Sequence, residues 1–267
     1  MTRTNTNQDS KSSGESGQPV LYSVEGAVAL ITLNRPEKRN ALNDAVISGL
    51  KDKLRDASKD ERVRVVVITG AGKDFCSGAD LSALQKISQA SVAENAEDAR
   101  TLLELFVLIR QLEVPVVAAV KGRALAGGCG LASACDIVLA CESARFGYPE
   151  VKIGFVPAMV MAILRRNVSE KRAFELVTRG AEISAGQARK FGLVNHIFAA
   201  ESFDEDVARY VSDFEKLSRS AVSLTKTLLY QIDGLSFDAA LETGADVNVI
   251  ARLTKDCQER VAKFLGK

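Results

Sequence analysis

Two short stretches carry most of the chemistry open to this chain. Gly127-Gly128-Cys129-Gly130 puts adjacent glycines where a short helix of small residues can begin, and the unpaired amides and positive dipole end of a helix start suit developing negative charge. Tyr148-Pro149-Glu150 supplies a carboxylate set among apolar and aromatic neighbours, where desolvation raises a carboxyl toward the range of a useful acid or base. Donors for an oxyanion together with one proton-carrying acid fit chemistry through the enolate of a thioester. Position 130, where a second carboxylate would help to add water, is a glycine.

A third stretch, Asp74-Phe75-Cys76-Ser77-Gly78-Ala79-Asp80-Leu81, follows an apolar strand and a glycine turn. Its small residues let a ligand approach the backbone, so the amide of Ala79 can point at a bound oxygen. Taken alone, Gly-Ala-Asp is more often just a turn. Paired with Gly127 it gains weight, because an enolate oxygen needs two convergent donors, each worth about 2.7 to 4 kcal/mol.

The remaining inventory points away from other mechanisms. His196 is the single histidine and reads as structural, which leaves little material for a histidine-based hydrolase. Cys129 stands at the helix start but reads as a small packed thiol rather than a nucleophile. Capping and turn roles account for Asp80 and Asp136. No spacing of ligand-type residues calls for a metal, and no separate cofactor is expected.

The elements that must position these residues alternate between strand and helix. Strands over 20–24 and 27–33 are joined by Glu25-Gly26; a helix over 40–57 has Asn40 available as cap; a strand follows at 63–69. A helix over 93–112, a buried strand over 114–120, the short helix 127–134, a strand over 137–140 and a helix over 160–168 continue the pattern. The fold class is α/β. From residue 203 the signal is helical throughout, with helices over 203–217, 218–230 and 237–264. The stripe Leu241, Val247, Ile250, Leu253, Val261 and Leu265 needs a partner, either a neighbouring subunit or the helical layer itself.

Composition sets the outer bounds. Of 267 residues 46% are hydrophobic, ample for a large core. Lys and Arg total 35 against 34 Asp and Glu, and a net charge of +1 gives no broad attraction to nucleic acid or anionic lipid. The five cysteines lack a metal-type pairing and read as reduced thiols, which places the protein in the cytoplasm as an expectation. Residues 1–19 are almost devoid of apolar side chains and read as a disordered polar tail, and no apolar run approaches the roughly 20 residues that span a bilayer. The expected organisation is tail 1–19, core 20–202 and helical region 203–267.

In its motifs the chain resembles the enoyl-CoA hydratase/isomerase, or crotonase, superfamily, over roughly residues 20–267. The resemblance is carried by Leu33-Asn34-Arg35-Pro36-Glu37-Lys38-Arg39-Asn40-Ala41-Leu42, the 75–81 segment, residues 122–140, residues 146–157, and Ala188-Arg189-Lys190-Phe191-Gly192-Leu193-Val194-Asn195, all in family order. It implies a spiral (superhelix) of ββα turns, a C-terminal helical layer that forms trimers, often paired into hexamers, and an acyl-CoA substrate. It assigns the thioester-binding amides to Ala79 and Gly127. It also places Lys38, Arg39 and Leu42 where the nucleotide end of coenzyme A is met, and Phe264 in the tail that approaches a neighbouring subunit's ligand. Family hydratases carry glutamates at the positions of Gly130 and Glu150, whereas isomerase-like members keep only the latter. The resemblance therefore implies proton transfer by Glu150 in hydration of a 2-enoyl-CoA, the name expected for this chain, or in delta-3 to delta-2 isomerisation. Dehydration or decarboxylation of a branched acyl thioester, and a catalytically idle acyl-CoA binder, are further alternatives.

Overall fold

The computed structural model of the protein describes residues 17–266, so most of the expected polar tail lies outside the described residues. At the end of that expected tail, the Gln18 and Pro19 carbonyls accept bonds from Asn34.

The chain opens with the antiparallel pair β1 (Val20–Glu25) and β2 (Val28–Leu33), then runs through α1 (Asp44–Lys59) to β3 (Val65–Gly70). Next come α2 (Leu81–Gln89), α3 (Val92–Gln111), β4 (Val116–Val120), β5 (Arg123–Leu125), α4 (Gly127–Ala134), β6 (Ile137–Cys141) and β7 (Arg145–Gly147). After α5 (Ala158–Asn167) and α6 (Glu170–Arg179), β8 (Ile183–Ser184), α7 (Ala185–Phe191) and β9 (His196–Phe198) complete the α/β part. The last helices are α8 (Phe203–Ser212), α9 (Arg219–Gln231), α10 (Phe237–Leu253) and α11 (Lys255–Phe264).

Six strands form one sheet in the order β1-β2-β3-β4-β6-β9, parallel from β2 onward, and β5, β7 and β8 form a smaller one. Strands β3 and β4 are continuous β-branched or small apolar runs because both faces of the large sheet are covered. Alternation along each strand sorts the side chains: Val66, Ile68, Val116 and Ala118 join the main core, while Val65, Val67, Val117 and Ala119 pack against Phe203, Val207 and Val211 of α8. The chain repeatedly leaves the large sheet, adds a short strand to the small one and returns through helix. Isolated bridges between Leu42 and Ala79 and between Cys76 and Ala124 extend the small sheet across segments 42 and 76–79. That wall carries the candidate site.

Several expected boundaries move. The first hairpin turns on Gly26 and Ala27, since Glu25 still pairs with Val28. Helix α1 starts at Asp44 with Asn43 as its cap; Asn40 is buried in a left-handed conformation, and its side chain bonds the Arg35 amide and the Ala71 and Asp74 carbonyls instead. The single helix expected over 237–264 is two, because the Thr254 hydroxyl accepts from the Cys257 amide and starts α11. The helix expected over 203–217 ends at Ser212 and passes into a 3-10 turn. Helices α2, α6 and α7 add to the expected elements. Neither α10 nor α11 has a buried residue, and the expected stripe is largely exposed, with Leu241, Ile250, Leu253, Val261 and Leu265 all facing outward.

Candidate active site

Helix α4 begins from an unusual backbone. Ala126, the residue before it, has φ +49° and ψ −127°, a conformation that costs a non-glycine residue of order 1–3 kcal/mol. Two bonds hold it there: its amide donates to Gly147 O at the end of β7 (2.8 Å), and its carbonyl accepts the first helical bond, from Gly130 (2.9 Å). The amides of Gly127, Gly128 and Cys129 precede that first bond, so they are the orphan donors of the helix start.

Segment 76–80 lies alongside. Cys76 bonds to Arg123 and Leu125 of β5, while the Leu42 amide donates to Gly78 O (2.7 Å) and the Asp80 amide to Leu42 O (3.0 Å). Because residues 78 and 80 make the bonds of this parallel bridge, the Ala79 amide faces away from Leu42. Gly78 sits at φ +93°, and a Cβ built on it would lie 2.7 Å from Ala126 Cβ and 3.5 Å from the Gly127 nitrogen. No other residue type fits there, and this close approach brings the 78–79 backbone to the start of α4. Ala79 itself is exposed.

Asp80 fixes the far side of this segment. Its carboxylate caps α2 by accepting from the Ser82 amide (3.1 Å) and pairs with Arg35 Nη2 (2.7 Å), both side chains being largely buried. The Ser82 amide first, and then Arg35, hold its carboxyl below the usual range. Arg35 also donates to Ala41 O (3.0 Å), tying the 35–42 loop to the same corner.

Glu150 stands on a 3-10 turn, Pro149–Ile153, that ends at a left-handed Gly154. Its carbonyl accepts from the Phe155 amide (3.0 Å). Among the described residues its Oε2 is buried with no hydrogen-bond partner, and burial pushes its pKa up. A buried carboxylate oxygen without a partner is costly, and such exceptions call for a functional explanation. Three residues before Glu150, Gly147 accepts the Ala126 amide, which ties this segment to the start of α4.

At position 130 the structure adds what the sequence could not. A Cβ on Gly130 would lie 2.2 Å from Val160 Cγ1 of α5 and 3.4 Å from Phe106 Cζ of α3. The space a second carboxylate would occupy is filled by apolar atoms. Val160 of α5 and Phe106 of α3 thus join the site as apolar wall residues that no local motif marks.

The other expected residues divide. Leu42 is buried, and its Cδ1 would be 3.3 Å from a Cβ on Gly127, so the 38–42 segment reaches the two amides. Lys38 and Arg39 are exposed at its edge, and the Arg39 carbonyl accepts from the Ser77 amide (3.0 Å). Phe264 is 89% exposed on α11, a helix packed on α9 and α10, and is not brought to Glu150 within one chain. Burial pushes the Cys129 thiol up to about 11, as a packed thiol requires. His196 lies on β9 against Phe198 and Tyr210. Asp136 accepts from the Val116 amide, the Tyr230 hydroxyl and Lys226.

Comparison with known proteins agrees with this architecture. The sequence profile described as enoyl-CoA hydratase/isomerase matches residues 23–267. A Thermus thermophilus protein provisionally described as an enoyl-CoA hydratase is 40% identical over 243 residues, covering 91% of this chain and 96% of its own. The 2,3-dehydroadipyl-CoA hydratase of Escherichia coli is 34% identical over 249 residues, covering 93% and 96%. The crystal structure of an enoyl-CoA hydratase from Mycobacterium smegmatis superposes with a TM-score of 0.88 at 31% identity, covering 93% of this chain and 96% of that one. With a crotonase fold and a family match along nearly its whole length, the chain belongs to the enoyl-CoA hydratase/isomerase family of enzymes.

Proposed function

We propose that the protein hydrates a 2-enoyl-CoA, with Glu150 as its only acid-base group and the Ala79 and Gly127 amides binding the thioester oxygen. The observation that carries this reading is the buried, unpartnered Oε2 of Glu150 near a helix whose first amides are also unpaired. Glu150 takes a proton from water as the water oxygen bonds to C3. The electron pair of the double bond moves onto the thioester oxygen as an enolate, which the two amides stabilise. The enolate then collapses, and Glu150 returns the proton to C2, so that hydroxyl and proton arrive on one face. Coenzyme A is part of the substrate, and the reaction needs no further cofactor. Lys38 and Arg39 meet its phosphates by charge-assisted bonds.

A second reading is favoured by the filled space at position 130. With Val160 where another carboxylate would hold water, Glu150 is suited to take a proton from C2 of a 3-enoyl-CoA and return it to C4. Incubating the enzyme with crotonyl-CoA and with a 3-enoyl-CoA, followed by proton NMR, separates the two. A 3-hydroxyacyl product supports hydration, a migrated double bond supports isomerisation, and tight binding with neither product overturns both.

Exposed α10 and α11 fit a trimer or a dimer of trimers, in which Phe264 meets a neighbour's ligand. Five free cysteines fit a cytoplasmic setting.

A further inference from the structure

Tyr148 is fully buried, yet it carries a hydroxyl where a phenylalanine would fill the same space. Burying a hydroxyl costs stability unless it is bonded, and this one is: it lies 3.0 Å from Ser133 Oγ on α4. Ser133 is itself buried, and its carbonyl accepts from Asn167 Nδ2 at the end of α5 (3.1 Å). Cys129, one turn back along α4, is buried as well.

The location gives the bond a consequence. Tyr148 immediately precedes the 3-10 turn that holds Glu150, and the residue before it, Gly147, accepts the Ala126 amide that sets the start of α4. Segment 147–148 is therefore pinned at both ends of α4: by Gly147 beside the Gly127 amide, and by the Tyr148 hydroxyl near the helix C-terminus. Glu150 extends two residues beyond this double attachment. The turn also packs on the end of α6 around Gly180, but it has no buried residue of its own and runs into the exposed stretch Val151, Lys152, Ile153 and Gly154.

We infer that the Tyr148 hydroxyl, through its bond to Ser133, is a positioning group that sets where the Glu150 carboxylate stands relative to the Gly127 amide. Tyr148 does not touch the reacting atoms; it acts through Glu150, and so rests on the reading of Glu150 as the proton carrier. Without the bond the ring stays packed, but the turn gains freedom to rotate about Pro149, and a displacement of about 1 Å at a reacting group is enough to lower turnover by up to 10²-fold.

The test compares Tyr148→Phe, Ser133→Ala, the double variant and Glu150→Gln, assayed on whichever enoyl-CoA the wild type turns over. Each single positioning variant should lose about tenfold in kcat with KM within twofold, and the double variant should be no slower than the slower single, because both remove one bond. A loss of packing alone would lower the melting temperature while leaving kcat per folded molecule unchanged, and that result overturns the inference. Additive losses in the double variant, or a rise in KM at constant kcat, overturn it too. Should Tyr148→Phe not fold, Ser133→Ala removes the same bond from the other side and decides alone. Near-normal turnover in Glu150→Gln removes the underlying reading; lost turnover there with full kcat in Tyr148→Phe and Ser133→Ala removes only the positioning role.

Discussion

Gly130 and Val160 fit one another as a glycine and the side chain that takes its place: a Cβ on the first would stand 2.2 Å from Cγ1 of the second. Position 130 is three residues along α4 from Gly127, so the two positions lie toward one side of the helix. The lack of a second acid is thus built into the packing of α4 against α5.

The pair predicts a strong coupling. Gly130→Ala should destabilise the protein by about 1–3 kcal/mol through overpacking. In the Val160→Ala background the same change should cost little, which urea unfolding of the four members of the cycle would measure. Equal costs in both backgrounds would separate the two positions.

Removing the acid should remove the chemistry and leave binding. Glu150→Gln should lower kcat by roughly 10² to 10⁴ while acyl-CoA affinity, measured by calorimetry, stays within a few-fold.

The same residue predicts a pH effect on stability. Burial raises the folded pKa of Glu150, so between the ordinary glutamate value, about 4.3, and the raised value the folded state holds more protons than the unfolded one. Stability from this group is present below the unfolded value and is lost as pH rises through the folded value. Glu150→Gln should therefore be more stable than wild type at neutral pH, with the gain vanishing in acid. Thermal melts across pH would show it, and a gain that grows toward acid would contradict the sign.

Arg35 and Asp80 predict damage at a distance from Glu150. Arg35→Met leaves the Asp80 carboxylate buried without its cation, at a cost of about 3 kcal/mol, and frees the residue next to Ala79. Asp80 is held below its usual range, so its contribution is present above the unfolded value near pH 4 and lost as pH falls through the folded one. Turnover per folded molecule should fall with KM for the thioester raised, as steady-state kinetics would record.

How much of this was legible beforehand depended on whether the cause was local. Apolar runs such as those of β3 and β4 announce buried parallel strands, and Gly127-Gly128 announces a helix start, because each signal lies within a few residues. Glu150 stood out as an acid among apolar neighbours. Asn40 misled, since its side chain is claimed by carbonyls at Ala71 and Asp74, more than thirty residues away. Thr254 interrupts a continuous helical pattern through one side-chain bond that periodicity does not register. Val160 facing Gly130, and Tyr148 facing Ser133, depend on helix packing and on a strand end meeting a helix, and neither pairing has a sequence period to reveal it.

The most direct measurement is a crystal structure of the enzyme with a non-reactive acyl-CoA thioester. The thioester oxygen should lie within about 2.7–3.1 Å of both the Ala79 and Gly127 nitrogens, with the Glu150 carboxylate over C2. A thioester oxygen bound by neither amide, or a Glu150 side chain turned out of that cavity, would contradict this mechanism.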